Sequence, residues 1–294
     1  MEQDLYAYSP IGERPPLSWP GGARIAFYVG LNIEHYLIDR PSTSASMATV
    51  GLTPDPMNYG WRDYGVRVGI WRMIELLDRL EIPASVLLNS DVCRFYPQIA
   101  EAIAQRDWAV VAHGQNNSTL QAAMDEGDER GYLEDMVAAL KAATGRSPLG
   151  WLGPALTETF NTPPLLAALG VRYLLDWCND DQPYPLRVPG MISLPYSVEL
   201  NDISLFVTAA TTGEQYRRLV IDHLDQLISE SETAGRVMAL PLHPFVISQP
   251  ARHRHLAAVL EEIGSRSEVW VTTSDAICEH YLASEHHRAL AQRG

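Results

Sequence analysis

The sequence predicts a single α/β domain in which parallel strands alternate with helices and close into a barrel. Short apolar runs recur between segments whose apolar residues fall at helical spacing, a pattern that means parallel pairing through right-handed crossovers. Roughly seven or eight such units occur, a number for which a barrel is the natural closure. The runner-up is an open doubly wound sheet, but no G-x-G-x-x-G follows the first strand, which weakens a dinucleotide-binding reading. The 294 residues, 46% hydrophobic and 20% charged, suit one large domain with a substantial core. No repeat, linker or low-complexity tract divides them.

Residues 1–22 contain RPPLSWPGG and predict an irregular arm that wraps the surface. The barrel is expected over 23–284, with a tail at 285–294. RIAFYVGLNI (24–33) reads as a buried strand ending at Glu34. Residues 41–66 lack a period and read as a long loop, of the kind that often forms a functional lid. A helix is expected over 67–80 and a strand over 82–88, stopped by Asn89. Further helix and strand pairs follow: 97–106 with 108–112, 128–144 with 149–152, and 163–169 with 171–175. Residues 185–212, including ISLFV, suggest extended segments. The remaining units are helix 214–230, strand 236–242, helix 251–263, strand 269–272 and helix 274–282, with Ser274 as N-cap.

A net charge of −14 disfavours nucleic acid and anionic membranes as partners, since both require a basic face. Cys93, Cys178 and Cys278 are widely spaced and odd in number. They suggest neither a disulfide framework nor a cysteine zinc site. MEQDLYAYSP lacks the basic and apolar regions of a signal peptide, and no run of about 18 apolar residues would span a membrane. The expectation is a cytoplasmic protein acting on a small molecule.

The candidate site rests on position. Glu34, His35, His113, Asp176 and His243 each stand at or just after a predicted strand end, and in a parallel barrel those ends share one face. Glu34 is a candidate general base, or a loop salt-bridge partner. His35 and His113 are candidate metal ligands, acid–base groups or loop hydrogen-bond partners. After His113, the amides of Asn116 and Asn117 suit a polar, uncharged substrate. Pro244 stiffens the presentation of His243, a candidate acid–base residue. Asp176, Asp180 and Asp181 could bind a cation, orient a histidine or form a solvated turn. Arg62 and Arg67 could pair with a substrate oxygen or an internal carboxylate. Glu158 either caps a helix or enters the site. No G-x-S-x-G elbow, P-loop or H-E-x-x-H is present, so nucleophilic serine, nucleotide and zincin chemistry are unsupported.

LNIEHY, WRDYGVRVGIWR, LLNSDVCRFYP, AHGQNN, GWLGPALTET, DWCNDDQPY and LPLHPF, in this order, resemble segments of the polysaccharide deacetylase superfamily. The likeness spans roughly residues 20–283 and is stronger to its allantoinase-like and cyclic imide hydrolase members. The resemblance implies a distorted (β/α)7-like barrel, a homo-oligomer, and hydrolysis of a non-peptide carbon–nitrogen bond by activated water. Deacetylases carry T-F-D-D where this chain has Asn32-Ile33-Glu34-His35. Glu34 then stands at the base aspartate and His35 at the metal-binding aspartate. His113 matches the first metal-binding histidine, Asn117 falls where the second is expected, and Leu152 replaces an arginine. His243 matches the late general acid.

Asn117 is a poor zinc ligand, so no obligatory metal is expected. The alternative is Zn2+ held by His35, His113 and His243 or Asn117. The favoured chemistry is opening of a cyclic amide, imide or ureide. Glu34 activates water, and His243 or His113 protonates the leaving nitrogen. Backbone near Gly153 and the Asn116 or Asn117 amide hold the carbonyl oxygen, while Arg62, Arg67, Trp151, Pro154, Asp176 and Asp180 shape the pocket. A metal-dependent sugar N-deacetylase and an inactive ligand-binding barrel are the alternatives.

Overall fold

The computed structural model describes residues 3–40 and 42–292. The outermost positions of the expected arm and tail, and position 41 of the expected loop, lie outside the described residues. The chain forms a curled, mostly parallel sheet wrapped by helices, a distorted half-barrel.

Strand β1 (Ile25–Ile33) is buried along its whole length, as a parallel central strand covered on both faces should be. It is followed by α1 (Pro56–Tyr64), α2 (Ile70–Arg79), β2 (Ala84–Leu88), α3 (Ser90–Phe95), α4 (Pro97–Ala104) and β3 (Ala109–Ala112). Then come α5 (Glu126–Thr144), β4 (Gly150–Trp151), α6 (Thr162–Ala168), β5 (Tyr173–Leu174), β6 (Tyr184–Pro185) and β7 (Ile192–Ser193). The last elements are α7 (Gly213–Glu230), β8 (Arg236–Leu242), α8 (Pro244–Ile247), α9 (Pro250–Gly264), β9 (Val269–Thr272), α10 (Ser274–Ala283) and α11 (Glu285–Ala291). The strand order is β6-β7-β5-β4-β3-β2-β1-β8, parallel throughout except at β6–β7. One edge of β1 carries β8; the other is shared by β9 at Ile25–Tyr28 and β2 at Val29–Ile33. Where β6 and β8 face the seam, the Val237 N–H donates to the Asp181 carbonyl at 2.8 Å.

Alternation along the strands builds two cores. Phe27, Val29, Leu31 and Ile33 pack with helical residues such as Ile70, Met73 and Leu77. Ala26 and Tyr28 pack inside the barrel with Leu87, Val111, Leu152, Tyr173, Leu175, Val237 and Ala239, and α10 adds Ile277 and Tyr281 to this inner layer. Gly150 has to lack a side chain, because a Cβ there would overlap the Tyr173 ring on the neighbouring strand. Gly150→Ala is therefore expected to lower stability by about 2 kcal/mol through overpacking, read by scanning calorimetry as a drop in Tm.

Several expectations are corrected. Residues 41–66 are not loop throughout: Pro at N1 and the Asp55 side chain, which accepts from the Asn58 N–H at 3.2 Å, start α1. A π-helical segment, Gly65–Gly69, joins α1 to α2. Its glycines allow close approach to Pro244 and Phe245; a Cβ at Gly69 would run into the Pro244 carbonyl. ISLFV is π-helical (Ile203–Thr208) rather than extended. Thr273, not Ser274, caps α10. In the N-terminal arm Leu17 and Trp19 are inserted into the inner core, and the expected tail contains α11. Among the described residues no helix is long and apolar enough to cross a membrane.

Candidate active site

The inward phase of each strand continues past its end into polar residues. Glu34 follows Ala26 and Tyr28 at even spacing, Asn89 follows Leu87, His113 follows Val111, and His243 follows Val237 and Ala239. All four side chains meet over the inner core. Glu34 Oε1 faces His113 Nε2 at 3.2 Å, His243 Nε2 at 3.6 Å and the Asn117 carboxamide nitrogen, while Oε2 accepts from the Tyr36 hydroxyl.

Hydrogen bonding fixes the imidazoles. His113 Nδ1 lies 2.7 Å from the Leu152 carbonyl, and a carbonyl only accepts, so Nδ1 carries a proton. The Nε2 contact with Glu34 is then a hydrogen bond only when a further proton sits on one of the two groups. His243 Nδ1 pairs with Asp202 Oδ1 at 2.6 Å, and Asp202 Oδ2 accepts from the His243 backbone N–H at 2.8 Å. Asp202 is fully buried. Asn89 accepts from the His35 backbone N–H at 2.8 Å and donates to the His113 carbonyl and, at 3.0 Å, to the Asn117 oxygen. Asn117 is therefore turned nitrogen-first toward Glu34.

The electrostatics follow from this packing. Burial alone would raise the pKa of Glu34, but the His243 charge, His113 and the Tyr36 hydroxyl outweigh it and hold the carboxyl below its ordinary value. Burial alone would lower that of His243; the charges of Asp202 and Glu34 outweigh it and raise it. Burial raises Asp202, against the opposing pull of His243. The arrangement presents a carboxylate beside a protonated imidazole, the opposite protonation states that acid–base hydrolysis needs.

The cover over this site is the segment 42–64. Asn58 ties it together, with bonds to Ser46, Thr49 and Asp55. Trp61 and Tyr36 pack edge-on against Phe245, at 4.9 and 5.9 Å between ring centres. Beneath it lies a cavity of about 10 Å³ lined by Glu34, Tyr36, Tyr59 and Arg62, room for about one water molecule. A much larger cavity, about 710 Å³, lies at the barrel seam between the N-terminal arm and β8.

The structure brings Glu34, His113, Asn117 and His243 together, has Arg62 and His35 line the cavity beside Glu34, and places the other expected residues elsewhere. His35 has the outward phase on its strand, and its ring stacks on Phe95 at 4.7 Å. Arg67 is exposed, 3.8 Å from Asp63. Asn116 donates to Asp91 at 2.9 Å. Trp151 belongs to the helix-facing core. The Gly153 N–H is committed to Asp176 at 2.7 Å, so it is no free oxyanion donor, and Pro154 packs beneath Gly114. Asp180 pairs with Arg14 at 2.5 and 2.8 Å. Asp176 lies close enough to Glu158 to feel its charge: burial and that repulsion raise Asp176 well above its ordinary value, and burial pushes Glu158 up to about 7. Tyr36, Asn89 and Asp202 were not anticipated.

The implied zinc set fares poorly. Among the described residues no three His, Cys, Asp or Glu side chains gather as ligands of one ion. His35 points away from His113 and His243, and Asn117 offers its nitrogen, which is no metal ligand. The donor set does not fit the ion.

The sequence model of the polysaccharide deacetylase family matches residues 49–174. A Schizosaccharomyces pombe protein whose name places it among the polysaccharide deacetylases is 25% identical over 317 residues, covering 96% of this chain and 97% of the relative. The crystal structure of Puue allantoinase is similar with a TM-score of 0.83 and 26% identity, covering 94% of this chain and 96% of that one. A probable polysaccharide deacetylase from Pseudomonas aeruginosa PAO1 is similar with a TM-score of 0.82 and 26% identity, over 94% and 97% of the two chains. The strands bearing Glu34 and His243 lie outside the family match but inside these near full-length superpositions. The family match covers less than half of the chain, and over nearly its full length the chain is similar to a relative and solved structures named as polysaccharide deacetylases and an allantoinase, a likeness that supports a hydrolase of carbon–nitrogen amide bonds.

Proposed function

We propose that the protein opens a small cyclic amide, imide or ureide without an obligatory metal. The observation that carries this reading is the Glu34 carboxylate, held between His113 and His243 with a carboxamide at Asn117. The cover over 42–64 supports it, since a polymer would need an open groove. Glu34 takes a proton from water as the water oxygen attacks the ring carbonyl. The tetrahedral intermediate collapses, the C–N bond breaks, and His243 Nε2–H supplies the proton that the departing nitrogen needs. Asp202 keeps His243 charged and aimed. The product is one open-chain molecule that bears a carboxylic acid, which ionises, and at its other end an amine, amide or urea. A cytoplasmic homo-oligomer acting on a diffusible substrate completes this reading.

A second reading, metal-dependent N-deacetylation of a sugar, is favoured by the family match and by the names of two relatives. Chelator-treated protein in a pH-stat separates the two. Succinimide, hydantoin or allantoin is expected to release acid at a rate unchanged by the chelator. Release from an N-acetylglucosamine oligomer that appears only on adding zinc would establish the deacetylase instead. Silence on every compound, with and without zinc, would leave a ligand-binding barrel.

A further inference from the structure

Arg62 is 6% exposed, and a guanidinium so deeply buried normally has its donors satisfied and its charge paired. Here Nη1 donates to the Thr43 carbonyl at 2.6 Å and the guanidinium sits over the Tyr36 ring at 4.8 Å. Nε is buried with no hydrogen-bond partner, and Arg62 makes no ion pair with a carboxylate among the described residues. The side chain lines the same cavity as Glu34. An orphaned buried donor beside the reacting carboxylate calls for an acceptor that arrives with the substrate.

The charges around it say which acceptor. Glu34, Asp202, Asp55 and the cavity-lining Asp63 stand against Arg62, His243 and Arg67, which pairs with Asp63. That set already carries more negative charge than positive. A substrate carboxylate would add an uncompensated buried charge, whereas a carbonyl oxygen would satisfy the Nε–H at no change in charge.

We propose that Arg62 reads a second carbonyl oxygen of the ring, one that is not attacked, so that the site selects imides and ureides over simple lactams. This inference rests on the ring-opening reading above. Glutarimide and valerolactam, six-membered rings with two carbonyls and one, test it by titration calorimetry alongside glutarimide kinetics. Arg62→Met is expected to weaken glutarimide binding and raise its KM by about 30-fold, the usual range for a charge-assisted hydrogen bond. Valerolactam affinity and kcat should stay within about 3-fold, because neither uses that bond. Arg62→Lys, which keeps the charge but lacks the Nε edge, should recover only part of the loss and controls for folding of the cover.

Equal losses for both rings would overturn the assignment and leave Arg62 a support of the cover. A larger loss for hydantoin-acetic acid than for hydantoin would overturn it in favour of an anion site. Arg62-dependent glutarimide binding without turnover would sink the ring-opening chemistry alone. Wild-type protein that binds neither ring would overturn both.

Discussion

Glu34→Gln is expected to lower kcat for ring opening by about 10³-fold while the protein stays folded. The carboxamide cannot take the proton that water must lose. It can still occupy the site, because its oxygen can face His113, Asn117 and His243 while its nitrogen turns to Tyr36. The Tyr36 hydroxyl, which now donates to Glu34, can rotate to accept. A Tm within a few degrees of wild type, with turnover nearly abolished, would therefore separate chemistry from stability. Turnover within about 3-fold of wild type would remove Glu34 from the role of base. Unchanged affinity together with no turnover in either protein would favour the ligand-binding barrel.

Asp202→Asn carries the second large effect. Two donors of His243 converge on Asp202, the backbone N–H on Oδ2 and Nδ1–H on Oδ1. Asparagine has one acceptor for the pair. The backbone donor cannot turn away, so the side-chain oxygen should take it and the amide nitrogen should face Nδ1. His243 then loses its Nδ1 proton and its charged partner, and its pKa falls. Turnover is expected to drop by about 10²-fold.

The pH profile gives the sign. In the wild type the base limb should lie below the ordinary glutamate value and the acid limb above the ordinary histidine value, given the directions of shift at Glu34 and His243. The alkaline limb of kcat/KM should move to lower pH in Asp202→Asn, and an unmoved limb would reject His243 as the acid. Stability follows the same linkage. The His243 contribution is complete below about pH 6.5 and is lost as pH rises through the raised value; the Glu34 contribution is complete above about pH 4.3 and is lost as pH falls through the lowered one.

The periodicity of the strands made most of this site legible before any coordinates. Glu34, His113 and His243 stand at strand ends, and their meeting follows from parallel topology alone. The two-residue alternation contained more than position did. Counting on from Tyr28 puts Glu34 inside and His35 outside, and counting on from Leu87 puts Asn89 inside. Trp151 falls in the outward phase beside inward Leu152. Asp202 was hidden for a different reason. ISLFV looks β-like because β-branched and aromatic residues dominate it, yet tertiary packing of Phe206 draws it into a helical turn. Its partner lies 41 residues away, and nothing local marks such a pairing. Proline, asparagine and glycine in PMNYG masked α1, so the burial of Arg62 was not visible either. The Asp176–Gly153 bond likewise arises only when two strand ends are set side by side.

The cover formed by residues 42–64 has a kinetic consequence. Room for one water beside Glu34 would admit the nucleophile of the proposed reaction but not its ring, so each proposed cycle needs an opening to load and another to discharge. In the proposed ring opening, the discharged molecule is longer than the one admitted and bears a new negative charge close to Glu34 and Asp202. Repulsion at that moment favours departure over the reverse reaction. The frequency of opening, set by the bonds that Asn58 must break, then places a ceiling on turnover however fast the bond cleavage becomes.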